Sequence, residues 1–401
     1  GDGFFKQFFN ELKLATTGTD APVTRLFVTG VTPVTMDDVT SGFNIAANIS
    51  MNPAFAAFAG FSHGDLREML AYYRAHAGFA FDEAAVFETM RRWYDGYRFS
   101  PEAGADGREV PMVANPTLVL YYMQYFLQNR HPQPELVDEN LRTDYMKIRH
   151  VITEGRKVNG NYHRLEDVIA RLGATATLRR SFQARELGEP DSFVSFLFYN
   201  GLVTVAGERM GRTRLAVPNL TVGEFLHDFV PRAYADVYGI DARLYDVADG
   251  MADFARRGDW RKALVSACEV VSRYWRVRDA ARVVQTALCS LLYVGHGPYL
   301  VRHEQESAGG FVDIAFEPQL ARWPQIGHAA LVELKYLKLS DDASPAALAK
   351  LKADAAAQLD RYAKDRDLAR AWNLRESGGT VALHRIAVVF HGGDVALCEE
   401  I

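Results

Sequence analysis

The sequence predicts an α/β chain, with a mixed sheet flanked by helices at the C-terminal end and a mostly helical region before it. Three observations carry this. From about Trp260 the patterned segments run helix, three short strands, helix and strand (α-β-β-β-α-β), with a strand rejoining the sheet after a helical crossover. From Pro134 to about Gly258 helical periodicity dominates. The chain's 401 residues, 48% hydrophobic and 24% charged, exceed one ordinary core and have a soluble globular composition, so two or three domains are expected.

Phe4, Phe5, Phe8, Phe9 and Leu12 recur at helical spacing and predict an amphipathic opening helix. The chain opens at Gly1-Asp2, without Met and in what reads as mid-helix, so further residues before Gly1 are expected. Val23 to Thr29 alternates and is β-branched, which predicts a strand ending at Gly30. Thr40-Ser41-Gly42-Phe43-Asn44 is a polar turn. Ser62 or Asp65 suits the cap of a helix running to Tyr73, and a helix from Asp82 to Trp93 ends in Asp95-Gly96-Tyr97. Asn115-Pro116-Thr117 starts another helix toward Leu127, and His131-Pro132-Gln133-Pro134 reads as a linker. The expected division is therefore 1–130, 131–258 and 259–401.

Within the second part, Phe193 to Val205 is apolar but interrupted by Asn200-Gly201, and reads as buried structure rather than a membrane span. Leu202 to Val205 and Thr213 to Val217 predict a hairpin. In the third, one helix from Trp260 to about Leu292 is followed by strands at Tyr299 to His303, Phe311 to Phe316 and Ala329 to Leu337. A helix from Pro345 to Ala363 then leads to strands at Arg385 to His391 and Val395 to Glu399.

The formal net charge of −5 argues neither for nor against a polyanionic partner. The charge is unevenly spread. Residues 141–186 hold ten Lys/Arg against five Asp/Glu, and residues 256–282 hold eight against three, so each stretch is locally +5. Such stretches are either a solvated helical surface or a phosphate-tracking face. Cys268, Cys289 and Cys398 lie far apart with no C-x-x-C, which excludes a zinc-finger pattern and a disulfide framework. With no signal peptide, a reducing cytoplasm is the expected compartment.

The chemistry concentrates between Glu306 and Tyr362. Gly309-Gly310-Phe311-Val312-Asp313 is followed by Glu333-Leu334-Lys335 and then by Gln358-Leu359-Asp360-Arg361-Tyr362. On a strand, side chains alternate with period two, so Glu333 and Lys335 share a face and Asp313 shares one with Phe311 and Ala315. Two adjacent strands can then bring Asp313 and Glu333 together, with Lys335 one step further on. Two converging carboxylates repel unless a cation lies between them, and hard oxygen ligands suit Mg²⁺ or Mn²⁺. The backbone carbonyl of Leu334 is a further candidate ligand. Lys335 is placed to serve an attacking water or the developing charge. Gln358 and Tyr362, at i and i+4, share a helix face from which an amide can position these groups and a phenol can contact substrate. Together these residues point to phosphodiester hydrolysis. Glu-x-Lys alone arises by chance roughly once per few hundred residues, and Glu11-Leu12-Lys13 repeats it in the opening helix, where it reads as solvated surface. The alternative for the second copy is a structural ion pair.

This constellation resembles the PD-(D/E)XK nuclease superfamily, especially its RecB-like members with Q-x-x-x-Y, over roughly Trp260 to the C-terminus. Val312 stands where the motif has proline. The resemblance implies a restriction-endonuclease-like core, a Mg²⁺-dependent nuclease activity, a nucleic-acid partner with DNA favoured over RNA, and a further acid, for which Glu306 is the candidate and Glu304 the runner-up. Thr29-Gly30-Val31-Thr32-Pro33-Val34, Thr40 to Ile45, Trp93-Tyr94-Asp95-Gly96-Tyr97-Arg98-Phe99 and Asn115-Pro116 resemble the AAA-ATPase-like proteins of bacteria, which commonly carry such a nuclease domain at the C-terminal end. That implies a partial P-loop ATPase-like segment over 1–130. No Gly-x-x-x-x-Gly-Lys-Ser/Thr occurs in the 401 residues, so ATP binding is not expected of them. Thr29 as a sensor-like residue and Arg98 as a phosphate contact compete with ordinary turn chemistry, which is the preferred reading.

Three other readings stay open. The C-terminal part could be an inactive scaffold that binds nucleic acid or a protein. A nucleotide-driven switch would need a P-loop upstream of Gly1. His296 and His303, around Gly297-Pro298, read as loop or surface histidines rather than metal ligands, and Ser41 lacks the motif of a nucleophile.

Overall fold

Local signals decide where most helices begin. In the computed structural model, residues 2–30, 34–35, 47–102, 112–132, 136–137, 153–154, 157–158, 160–238, 241, 243–275, 281–293, 297–307 and 310–401 are described. They divide by compactness into one unit of residues 1–153 and 159–223 and a second of residues 154–158 and 224–401. Among the described residues no helix is long and apolar enough to cross a membrane.

The first unit holds α1 (Asp2–Ala15), α2 (His63–His76), α3 (Glu83–Tyr94), α4 (Pro116–Asn129), α5 (Gly160–Ala170) and α6 (Pro190–Tyr199). Ser62 and Asp65 form a reciprocal capping box at the start of α2. Asp82 caps α3, and Asn115 caps α4 with Pro116 in its first turn. The expected hairpin is present as β2 (Thr204–Arg209) and β3 (Arg212–Ala216), and β1 (Gly173–Ala176), which the sequence did not betray, adds to β3 in the order β1-β3-β2. The run from Phe193 is helix α6, buried from Ser192 to Phe198.

Asp95-Gly96-Tyr97-Arg98 is a structural junction. Gly96 has φ +99°, and a Cβ there would lie 2.2 Å from the Pro218 carbonyl oxygen, so only glycine passes. The buried Asp95 carboxylate meets His63 Nε2 at 2.5 Å, and Arg98 exchanges two backbone hydrogen bonds with the Thr204 hydroxyl. Residues 23–29, expected as a strand, form none, and Leu26, Phe27 and Val28 are exposed; no described segment offers them a ladder. Thr29 is exposed too, while Ser41 and the polar turn around it lie outside the described residues.

The second unit begins within α7 (Leu220–Tyr238) and continues through α8 (Leu244–Arg257), α9 (Arg261–Trp275), α10 (Ala281–Leu292), β4 (Tyr299–Ser307), β5 (Gly310–Pro318), β6 (His328–Leu337), α11 (Pro345–Tyr362), α12 (Arg366–Ala371), β7 (Ala382–His391) and β8 (Asp394–Glu400). The single helix expected from Trp260 to Leu292 is thus two, with residues 276–280 between them outside the described set. One five-stranded sheet has the order β4-β5-β6-β7-β8, antiparallel throughout except for the parallel pair β6-β7 that the α11 crossover joins. This is the mixed, helix-flanked sheet that the sequence predicts.

β6 is central and covered on both faces, which explains its nearly continuous apolar run Ala329 to Val332. On one face Phe316 packs against Phe254 of α8, with ring centroids 5.9 Å apart. On the other, Ala315, Ala329 and Leu331 form a core with Leu359, Tyr362, Leu368 and Trp372. At the near end of the sheet the Trp260 indole and His384 both bond the Glu400 carboxylate, and His384 bonds His328.

His303, expected at a surface, is instead only 4% exposed, and its ring meets that of the equally buried His227 at 5.8 Å. Burial, which disfavours the charged ring, holds His303 down to about 4; burial and then the His303 charge hold His227 down to about 3. Both folded values lie below the unfolded one. Their contribution to stability is therefore complete above about pH 6.5 and is lost as pH falls toward the folded values. Urea denaturation between pH 7 and 4 is expected to show stability falling with a slope of up to about 1.4 kcal/mol per pH unit per histidine, and His303→Leu is expected to flatten it.

Candidate active site

The antiparallel ladder between β5 and β6 pairs Phe316 with Ala330, Ala315 with Leu331 and Ile314 with Val332, and goes no further. The next residues in this register are Asp313 and Glu333, opposite each other on the α11 face. Where the ladder stops, the Asp313 carboxylate takes over: its Oδ2 accepts from the backbone N–H of Leu334 at 2.8 Å. The other side of the opening is held from α10, where Gln285 Nε2 donates to the Asp313 carbonyl at 3.1 Å. On its other edge β6 keeps its parallel ladder to β7, which runs unbroken through Glu333–Ala387 and Lys335–Val389. In an extended strand a residue's N–H and C=O point to the same side, so the Leu334 carbonyl faces the opened side with its amide.

Glu333 is only 5% exposed. Lys335 Nζ donates to Glu333 Oε1 at 2.7 Å and to Gln358 Oε1 of α11 at 2.8 Å. Glu333 Oε2 is buried and has no hydrogen-bond partner among the described residues. Its carboxyl is pushed above the usual range, first by burial and then by the charge of Asp313; the Lys335 hydrogen bond and charge, and the Arg361 charge, pull it back. A buried carboxylate oxygen without a donor is costly. An acceptor of that kind beside a second acid is the donor chemistry that a hard divalent cation takes.

Asp313, Glu333, Lys335 and Gln358, four residues singled out in the sequence, are thus brought together with the Leu334 backbone. Glu306 and Glu304 lie on β4, and their side chains are outside the described set. By register Glu306 is opposite Phe311, whereas Glu304 falls between the pairs His303–Ile314 and Gln305–Val312, level with Asp313. Among the described residues no group of three or more His, Cys, Asp or Glu gathers to hold a metal ion. His296 is outside the described residues, and His303 lies on the buried side of β4.

Tyr362 departs from its expected role as a substrate contact. It is 3% exposed, belongs to the core beneath the sheet, and its hydroxyl accepts from Arg361 at 3.2 Å. Helical spacing places it on the face of Gln358, and that face one turn further on points into the core. The exposed side chain at this place is Arg361. Sequence reasoning missed two residues, Gln285 and Arg361; the first left only a lone amide in an apolar helix as a signal, and the second lay inside the quoted motif. Tyr362 and Arg361 also wall off Gly310: a Cβ there would lie 2.9 Å from the Tyr362 ring and hydroxyl and 3.2 Å from the Arg361 guanidinium. Gly310→Ala is expected to lower stability by about 1–3 kcal/mol through overpacking, measured as a fall in the urea midpoint.

No curated protein and no solved structure matches the chain. The family model described as PD-(D/E)XK nuclease superfamily matches residues 282–400. That span begins in α10 with the helix bearing Gln285, ends in β8, and contains the whole of the opened β5–β6 junction. The C-terminal part of this chain, residues 282–400, is a domain of the PD-(D/E)XK nuclease superfamily.

Proposed function

We propose that this domain is a metal-dependent nuclease that hydrolyses phosphodiester bonds of nucleic acid, DNA in preference to RNA. One observation carries the reading: the buried Oε2 of Glu333, without a hydrogen-bond partner among the described residues, beside the charge of Asp313. Mg²⁺ or Mn²⁺ would be held by Asp313, Glu333 and the Leu334 carbonyl, with Glu306 or Glu304 completing the set. Such an ion supplies activation of water and neutralisation of charge at the phosphorus. Lys335 orients or deprotonates the attacking water, or neutralises developing charge. Gln358 fixes Lys335 from the helix above. The ammonium cannot swing away without giving up two bonds of 2.7 and 2.8 Å.

The N-terminal motifs support a second element of the reading, that residues 1–130 are the distal segment of an AAA-ATPase-like module and 131–258 a helical connector to the nuclease part in a cytoplasmic protein. ATP binding is not part of it, since the 401 residues contain no P-loop. The rival reading, an inactive scaffold that binds nucleic acid or a protein, is favoured by the absence of a third metal-ligating side chain among the described residues.

Cleavage of single- and double-stranded DNA and RNA, linear and circular, with Mg²⁺ or Mn²⁺ against EDTA, tests the activity. Asp313→Ala and Glu333→Ala are expected to abolish it, and Lys335→Ala to lower it by about 10²–10⁴-fold, with circular dichroism unchanged. Unaltered cleavage by pure Glu333→Ala protein would refute the assigned roles.

Stability gives a second readout. The folded-state pKa of Glu333 lies above its unfolded value, so its ionisation penalises the fold as pH rises through the raised value and not below about 4.5. Glu333→Gln in EDTA is therefore expected to be more stable than the parent at pH 8, by about 1–3 kcal/mol, with the gain vanishing near pH 4.5. Equal denaturation midpoints at pH 8 would count against a strained site.

A further inference from the structure

On the side of β8 the five-stranded sheet ends in an open edge. β8 is the outermost strand and is seven residues long. Among the described residues, no backbone group from Val395 to Glu400 bonds to anything beyond β7. An unpaired edge of this length is a template for another strand unless something blocks it. Proline and lysine, two common blocks, are absent from Asp394-Val395-Ala396-Leu397-Cys398-Glu399-Glu400, whose charges are all acids.

A groove of about 480 Å³ lies between this strand and α9, which packs against it. One wall is Val265, Cys268, Glu269 and Ser272, which share a face of α9 at i, i+3, i+4 and i+7; the other holds Val395 and Cys398. Cys398 pairs with Val388, and Val388 with Leu334, so the groove is on the face of the sheet away from Glu333. Burial pushes the Cys398 thiol up to about 11 and raises that of Cys268, so both line the groove as small apolar groups. Val265 and Val395 are 39% and 36% exposed. Apolar surface thus stands uncovered between a helix and a free strand edge.

The charges of β8 decide against a second copy as the occupant. A symmetric antiparallel β8–β8 pair in its two longest registers sets Asp394 opposite Glu400 or Glu399, and like charges directly opposite destabilise a ladder. Neither glutamate turns away without loss, because Lys352 holds Glu399, and Trp260 and His384 hold Glu400. We infer that β8 is a strand-addition site for an extended segment of another protein, with apolar side chains alternating toward the groove and Lys or Arg on the opposite face. A strand about 4.8 Å outside β8 would lie over the α9 stripe. Main-chain hydrogen bonds would then supply the affinity, the groove the apolar selectivity, and the acids the preference for a basic partner. The nuclease reading is not needed for this.

The test titrates the full chain, at about 0.15 M salt, with fluorescein-labelled heptapeptides: Lys-Val-Lys-Val-Lys-Val-Lys, the same peptide with its amides N-methylated, and its Glu-Val counterpart. The first is expected to bind. The N-methylated peptide keeps the charge but loses about three main-chain hydrogen bonds, and is expected to bind about 10–100-fold more weakly. The Glu-Val peptide is expected to bind at least about tenfold more weakly. Hydrogen exchange of residues 395–400 is expected to slow with the Lys-Val peptide bound. Val265→Arg, which puts a charge on the exposed wall of α9, is expected to weaken binding about tenfold with circular dichroism unchanged. Equal affinity of the N-methylated peptide would reduce the contact to surface charge and overturn the assignment. So would no binding at about 1 mM peptide, unchanged binding by Val265→Arg, or a dimer of the chain alone with protected β8 amides. None of these outcomes touches the nuclease reading.

Discussion

A single hydrogen bond, from the Leu334 amide to the Asp313 carboxylate, links β5 and β6 at the point where their ladder ends. It occupies the place of the next ladder bond between β5 and β6. The two strands part there without leaving the Leu334 donor unsatisfied, and a side chain rather than a carbonyl fills the gap. Everything chemical in the unit gathers at this gap. Glu333 faces it, the Leu334 carbonyl is turned toward it, and Lys335 leans over it from the next position on the same face.

The gap is kept open at a cost borne by the surrounding core. Glu333 is buried with one oxygen unpartnered among the described residues, and the charge of Asp313 raises the cost of ionising it. Lys335 offsets part of that, held between Glu333 and Gln358. The rest is offset by packing: β6 is sealed between the α8 and α11 layers, and α11 is pinned by Leu359 and Tyr362. The unpartnered Glu333 oxygen is one of several such buried atoms in this unit, Tyr336 Oη and His391 Nε2 among them, and it is set apart by having a second carboxylate beside it.

How far this was legible in the sequence depended on whether the cause was local. Alternation alone put Glu333 and Lys335 on one face, because a strand has no other option. Ser62, Asp82 and Asn115 marked helix starts through bonds made within three residues. The strand Gly173–Ala176 went unseen because Gly-Ala-Thr-Ala carries little β-propensity and is created by its partner β3. Val23 to Thr29 failed in the opposite way, with the propensity of a strand and no partner among the described residues. Tyr362 shows the limit within the site: spacing fixed its helix face, and only the tertiary core decides that this face is buried there. Gln285 reaches Asp313 across 28 positions, which no local pattern encodes. The same holds for the end of the β5–β6 ladder.

Whether the two acids share a cation is the claim that everything functional depends on, and calorimetric titration of the full chain with Mn²⁺ and with Mg²⁺ addresses it without requiring a substrate. The expected result is saturable binding by the parent protein that disappears in Asp313→Asn and in Glu333→Gln, both still folded. Binding of equal affinity in the parent and in both variants, or none in the parent at millimolar ion, would contradict it.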